Sequence, residues 1–165
     1  MGRRVQLFLV AANLLFWVPI LAWTVFAHHS YDPPSFVDDR TFAEAAEPIC
    51  STAQTAIVDL GSPTAVGSPQ ERAQLTDEGN QILRGMLTEL RELPPPDGEG
   101  ADWVVAWLSD WDTHIADRQA WADELQTGHD GPFVETAKDG HQISRDIDAF
   151  ADTNLMPSCA TTGDV

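Results

Sequence analysis

The sequence predicts an all-α protein: one amino-terminal transmembrane helix followed by an antiparallel four-helix bundle closed by one disulfide. Three observations predict it. Residues 5–27 form an apolar run of 23. Four later stretches carry apolar residues at steps of three and four, separated by Gly- and Pro-rich breaks. Two cysteines, Cys50 and Cys159, sit near the two ends of the patterned region. Period-two alternation of β-branched residues, the mark of a half-buried strand, is absent beyond a few positions.

The apolar run, Val5 to Ala27, is interrupted only by Gln6, Asn13, Pro19 and Thr24. At about 1.5 Å per residue it reaches roughly 35 Å, enough for the ~30 Å hydrocarbon core of a bilayer. Arg3 and Arg4 precede it and no Lys or Arg follows until Arg40. The excess of positive charge before the run predicts a cytoplasmic tail over residues 1–4 and an extracytoplasmic residue 28–165 portion at the cell membrane. Trp17 and Trp23 crowd the outer half, where aromatic rings favour the interface. Asn13 and Pro19 are its other marked residues, and an Asn in hydrocarbon bonds a neighbouring helix at about 0.6 to 2 kcal/mol. The bilayer is thus the first expected partner. The alternative is a cleaved secretory signal ending at Val25-Phe26-Ala27, although such cores run about 7 to 15 residues. Either reading exports the same domain.

Residues 28–165 are long enough for one domain with a real core. They hold seven basic against 26 acidic side chains, a formal charge of −19, within a chain of net charge −17. Such a field repels phosphates, so nucleic acid is not an expected partner. It would attract cations or a basic protein, and its plain alternative is a solvated, solubilising surface. On the exported, oxidising side the two cysteines are expected to form one disulfide; free thiols or an intermolecular bridge are the alternatives. Two cysteines this far apart lack the paired spacing of a metal site.

The exported elements follow in order. Residues 28–39, with Pro33 and Pro34, read as an extended stalk, and residues 40–165 as the bundle. The first helix carries a stripe from Phe42 through Ile49, Ala53 and Ile57 to Leu60, ended by Gly61. Pro48 would either bend it or serve as its first-turn residue. A Gly/Pro/Ser loop leads to Ser68-Pro69-Gln70-Glu71, the arrangement of a capped helix start. The second helix then runs over Leu75, Ile82, Leu83, Met86, Leu87 and Leu90 to the stop at Pro94-Pro95-Pro96. The third spans about residues 101–127, with Trp103, Trp107, Trp111, His114, Arg118, Trp121 and Leu125 on one broad face. The fourth is expected over about residues 133–155, burying Val134, Ala137, His141, Ile143, Ile147, Phe150 and Leu155. Short connections favour up-down-up-down packing, which returns Cys159 to the pole of Cys50.

Signatures of catalysis are thin. No Gly-rich phosphate loop, His-Glu-x-x-His or Gly-x-Ser-x-Gly is present, and the sequence implies no cofactor and no catalytic residue. Asp110 with His114, four apart on one helical face, and Asp139 with His141 are the nearest approaches to a metal pair; for the first, mutual pairing or solvent exposure is the plainer reading. The tryptophan row is the most specific feature of the domain. Its plain reading is core packing; its sharper one is that Trp103, Trp107 or Trp111 anchors another molecule. Asp117 and Arg118, on the next turn, would fix a polar group there or form a surface ion pair.

With Glu47-Pro48-Ile49-Cys50 in an Ala-rich helix, Leu93-Pro94-Pro95-Pro96 ending the next, and Cys159 near the end, the chain resembles small actinobacterial membrane-anchored or secreted helical proteins without assigned function. The likeness covers roughly residues 42 to 160. It implies a disulfide-closed helical bundle and carries no catalytic or binding residue across.

The expectation is therefore a single-pass membrane protein whose exported bundle is an interaction or accessory module, with a protein partner in the membrane or envelope. The alternative is a bundle binding a small ligand or cation, as a metal-dependent enzyme through Asp110 and His114 would.

Overall fold

Among the described residues the steps of three and four are realised as four α-helices. The computed structural model describes Gly2, Trp17 and residues 35–163. The chain divides into two units, Met1–Pro34 and Ser35–Val165, and the elements below belong to the second. In order they are α1 (Thr41–Leu60), a 3-10 turn at Pro63–Ala65, α2 (Pro69–Glu92), α3 (Glu99–Gln126), strands β1 (Ala137–Lys138) and β2 (His141–Gln142), α4 (Ile143–Thr153), and a 3-10 turn at Pro157–Cys159. Among the described residues no helix is long and apolar enough to cross a membrane. The expected span over residues 5–27, with Asn13, Pro19 and Trp23, lies outside the described residues except for Trp17, which is exposed.

Local chemistry sets the helix ends. The Ser68 hydroxyl accepts the Glu71 N–H at 3.1 Å and Pro69 takes the first helical position, so α2 starts as its sequence requires. Gly61, at φ 91°, closes α1. Pro48 lies inside α1 with regular helix on both sides, so the helix does not begin there. Its ring faces solvent, and its carbonyl accepts the Thr52 hydroxyl at 2.9 Å.

The fourth helix is much shorter than expected. Asp139 and Gly140 adopt φ 50° and 85°, the left-handed pair of a two-residue hairpin turn, and set Ala137 opposite Gln142 and Lys138 opposite His141. This hairpin replaces the helix over residues 137–142 and leaves Val134 72% exposed. The other end differs too. The Met156 N–H returns to the Ala151 carbonyl at 2.8 Å while Leu155 takes φ 55°. That left-handed stop turns Leu155 out to solvent and puts Met156 inside, at a conformational cost of roughly 1 kcal/mol.

One core cluster runs from Phe42, Ala46 and Cys50 on α1 through Leu83, Leu87 and Leu90 on α2 and Trp107 and Trp111 on α3 to Ile147 and Met156. A smaller one joins Ala73, Trp121, Ala122 and Leu125, with Phe133 packed against it. Buried polar side chains accompany the apolar ones: Arg118, 1% exposed, donates from Nε to Asn80 Oδ1 at 2.8 Å. Cys50 and Cys159 are joined in a disulfide with Cα atoms 5.0 Å apart, and both are fully buried.

The expected stalk is corrected at its end. Residues 28–34 lie outside the described residues, but residues 35–39 pack onto the helices. Val37 is buried and donates its N–H to Asn154 Oδ1 at 2.8 Å; Asn154 Nδ2 donates to the Ser35 carbonyl at 3.0 Å, and Arg40 donates to the Asn154 carbonyl. One buried amide thus fastens the incoming segment to the end of α4. Asn154→Ala would leave the Val37 N–H without its acceptor and is expected to lower stability by about 2 to 3 kcal/mol. Urea unfolding measures the loss, and hydrogen exchange should show the Val37 amide losing protection ahead of the helices.

Candidate functional site

The first turns of α3 carry the structure's most distinctive surface. Glu99 and Asp102 sit at the helix start, where carboxylates complement the exposed N–H groups. Gly100 lets residues 35–39 approach closely: a Cβ there would meet Val37 Cγ1 at 2.9 Å. One turn on, Trp103 is half-buried and walls two cavities. The first, about 260 Å³, is lined on α3 by Trp103, Ala106, Trp107 and Asp110, on α4 by Asp146, Ala149 and Phe150, and by Ser35, Lys138 and Asp139. The second, about 370 Å³, lies between Trp103 and Phe36, Val37, Asp38, Asp39, Asp97, Glu99 and Gly100.

The floor of the first cavity is rigid. Trp107 stacks on Phe150 with centroids 5.3 Å apart, meets Phe42 edge-on at 6.5 Å, and donates its indole N–H to the Ile147 carbonyl at 3.3 Å. The hairpin forms one rim. Lys138, the only lysine of the chain, gives both carboxylate oxygens of Asp110 a bond, at 2.8 and 2.6 Å. His141 Nε2 and Asp146 Oδ1 lie 2.8 Å apart, while Asp146 Oδ2 is shielded from solvent with no hydrogen-bond partner. The hairpin is tied down further back: Thr136 donates its N–H and hydroxyl to Asp117 at 2.7 and 2.9 Å, and Glu135 accepts the Ser144 N–H at 2.9 Å.

On the second cavity's rim, Asp39 accepts the N–H and the hydroxyl of Thr41. The hydroxyl bond first and the backbone bond second hold its carboxyl below the ordinary aspartate range, so Asp39 stays charged there.

The predicted site residues separate accordingly. Trp107 and Trp111 are 2% and 1% exposed and form core, in one cluster with residues of α1, α2 and α4. Trp103 alone of the three reaches solvent. Asp110 is engaged by Lys138. His114 is buried and turned inward, its ring against Trp111 and Phe133 and its Nδ1 3.9 Å from Glu135 Oε2. Spacing puts Asp110 and His114 on one helical face, yet each meets a different group from the following loop. Among the described residues no three His, Cys, Asp or Glu side chains gather as a metal cluster. Asp117 holds the loop rather than forming a surface ion pair, and Arg118 points into the interior.

Sequence reasoning missed Lys138, Asp139 and Asp146 as parts of this surface. The signal for the first two was the Asp139-Gly140 pair, the strongest short-range mark of a hairpin turn. The arrangement sets a half-buried indole between two hollows, with carboxylates on both sides and one ion pair, Lys138–Asp110. No family model, no curated protein and no solved structure matches the chain.

Proposed function

We propose that the chain is a single-pass membrane protein, amino terminus cytoplasmic, whose extracytoplasmic helices form an antiparallel four-helix bundle acting as an interaction or accessory module of a membrane or envelope complex. One observation carries the reading: Trp103 stands half-buried between two hollows on a domain whose other tryptophans on α3, Trp107, Trp111 and Trp121, are all used inside. A partly open indole above a rigid floor is the side chain found at the centre of protein contacts, where it supplies large area at small entropic cost. The acidic field of the chain favours encounter with oppositely charged surfaces. The apolar run over residues 5–27 supports the tether.

The test is size after gentle extraction. Solubilised from native membranes in mild detergent, the protein should migrate within a larger assembly, with a reproducible neighbour recovered by crosslinking and mass spectrometry. Migration alone as a monomer, or recovery wholly in the soluble fraction, would overturn the proposal.

A further inference from the structure

We propose that the Trp103 surface takes a basic segment of a partner protein, with an arginine or lysine side chain lying over the indole and its neighbours reaching the carboxylates of the two hollows. The inference rests on the interaction reading above and adds the chemistry of the occupant. Three observations support it.

First, the hollows on the two sides of Trp103 differ in volume but share the same character. Each pairs an aromatic side chain with carboxylates: Phe150 in one, where Lys138 compensates Asp110, and Phe36 in the other, whose ring already carries the Arg40 guanidinium at 5.4 Å. A guanidinium or ammonium group over such an indole is attracted by the negative face of the ring while carboxylates compensate its charge.

Second, these carboxylates are available. Among the described residues Asp97, Glu99 and Asp139 form no ion pair, whereas Asp110, deeper in the cleft, is already neutralised by Lys138. The shielded Asp146 oxygen on the same wall also lacks a hydrogen-bond donor.

Third, charge complementarity selects among occupants. A second copy would bring another −17 against this face, and an anionic headgroup or nucleic acid would meet the same repulsion. A cationic segment is attracted by the carboxylates that Lys138 and Arg40 leave uncompensated, with Trp103 giving it a register that scattered surface charge does not provide.

The test uses the full chain in mild detergent and a dye-labelled hexa-arginine peptide, followed by fluorescence anisotropy. Saturable binding is expected, weakening as salt is raised. Trp103→Ala should weaken it about tenfold, the loss of one partly desolvated cation–ring contact. Asp139→Asn keeps the side-chain shape and tolerates the left-handed backbone at that position, so it removes charge alone; together with Asp97→Asn it should weaken binding about fivefold. Two neutralisations outside the cavities, Asp59→Asn and Glu124→Gln, should change it by less than about twofold. Near-ultraviolet circular dichroism checks each variant's packing. If Trp103→Ala packs differently from the parent, the Asp97/Asp139 pair decides. Unchanged affinity in the Trp103 and Asp97/Asp139 variants, or an equal loss from the remote pair, would overturn the proposal. A protein that migrates in an assembly yet fails this titration loses only the basic partner; one that migrates alone loses the interaction reading itself.

Discussion

Trp107→Ala is expected to destabilise the domain by about 3 to 5 kcal/mol, as large-to-small changes of buried aromatic side chains do. Trp107 is the residue through which three helices meet: it belongs to α3, stacks on Phe150 of α4, touches Phe42 of α1 edge-on, and bonds the Ile147 carbonyl. At 2% exposure its removal opens a cavity in the core. The loss also removes the bond from the indole N–H to the Ile147 carbonyl. Trp107→Phe keeps most of the volume and gives up the hydrogen bond, so it should cost roughly 1 to 2 kcal/mol. Urea melts of the two variants separate cavity from hydrogen bond. Equal stability for Trp107→Ala and the parent would show that the three helices do not meet on this ring.

Loss of the disulfide is expected to have a similar effect by a different route. Cys50 and Cys159 are 109 residues apart, and closing a loop of that size restricts the unfolded chain by about 4 to 5 kcal/mol in the chain-entropy account. For a domain of this length that corresponds to a fall in melting temperature of roughly 15 °C. The double variant Cys50→Ala/Cys159→Ala reports it without a stray thiol. Because both sulfurs are fully buried, the native protein should resist alkylation even with reductant present until it is unfolded. Alkylation of folded, unreduced protein at both positions would contradict the bond.

How much of this was legible in the sequence depended on whether the cause was local. The start of α2 was legible, because Ser68, Pro69 and Glu71 act within one turn. So were the lengths of α2 and α3, which end at a proline run and before Gly128. The disulfide was legible from two cysteines and an expected compartment. The hairpin was equally local, since Asp139-Gly140 announces it, but an apolar periodicity continued through residues 133–155 masked that signal. Leu155 was misplaced because a left-handed stop on a leucine has no sequence mark, unlike one on glycine.

The site was less legible. Spacing defined the face of α3 that carries Trp103, Trp107 and Trp111, and the same spacing holds for all three. Which ring stays open depends on how far the covering elements reach along that face, which is a matter of tertiary packing. The Asp110–Lys138 pair and the Asn154 clasp join residues 28 and 117 positions apart, so no window of sequence contains both partners. Arg118 falls on the same face of α3 as the tryptophans, but its interior acceptor Asn80 lies 38 positions away on α2, so spacing alone did not show that its guanidinium turns inward.

Whether the domain acts through the Trp103 face can be read by site-resolved photocrosslinking in native membranes. A photoreactive residue replaces Ala106, on the rim of the cleft, or Val58, exposed on α1 and outside both hollows. A discrete adduct is expected from position 106, none from position 58, and loss of the first when Trp103→Ala is added to protein that still folds. An adduct from position 106 that persists undiminished in the Trp103→Ala background, or equal adducts from both positions, would contradict action through that face.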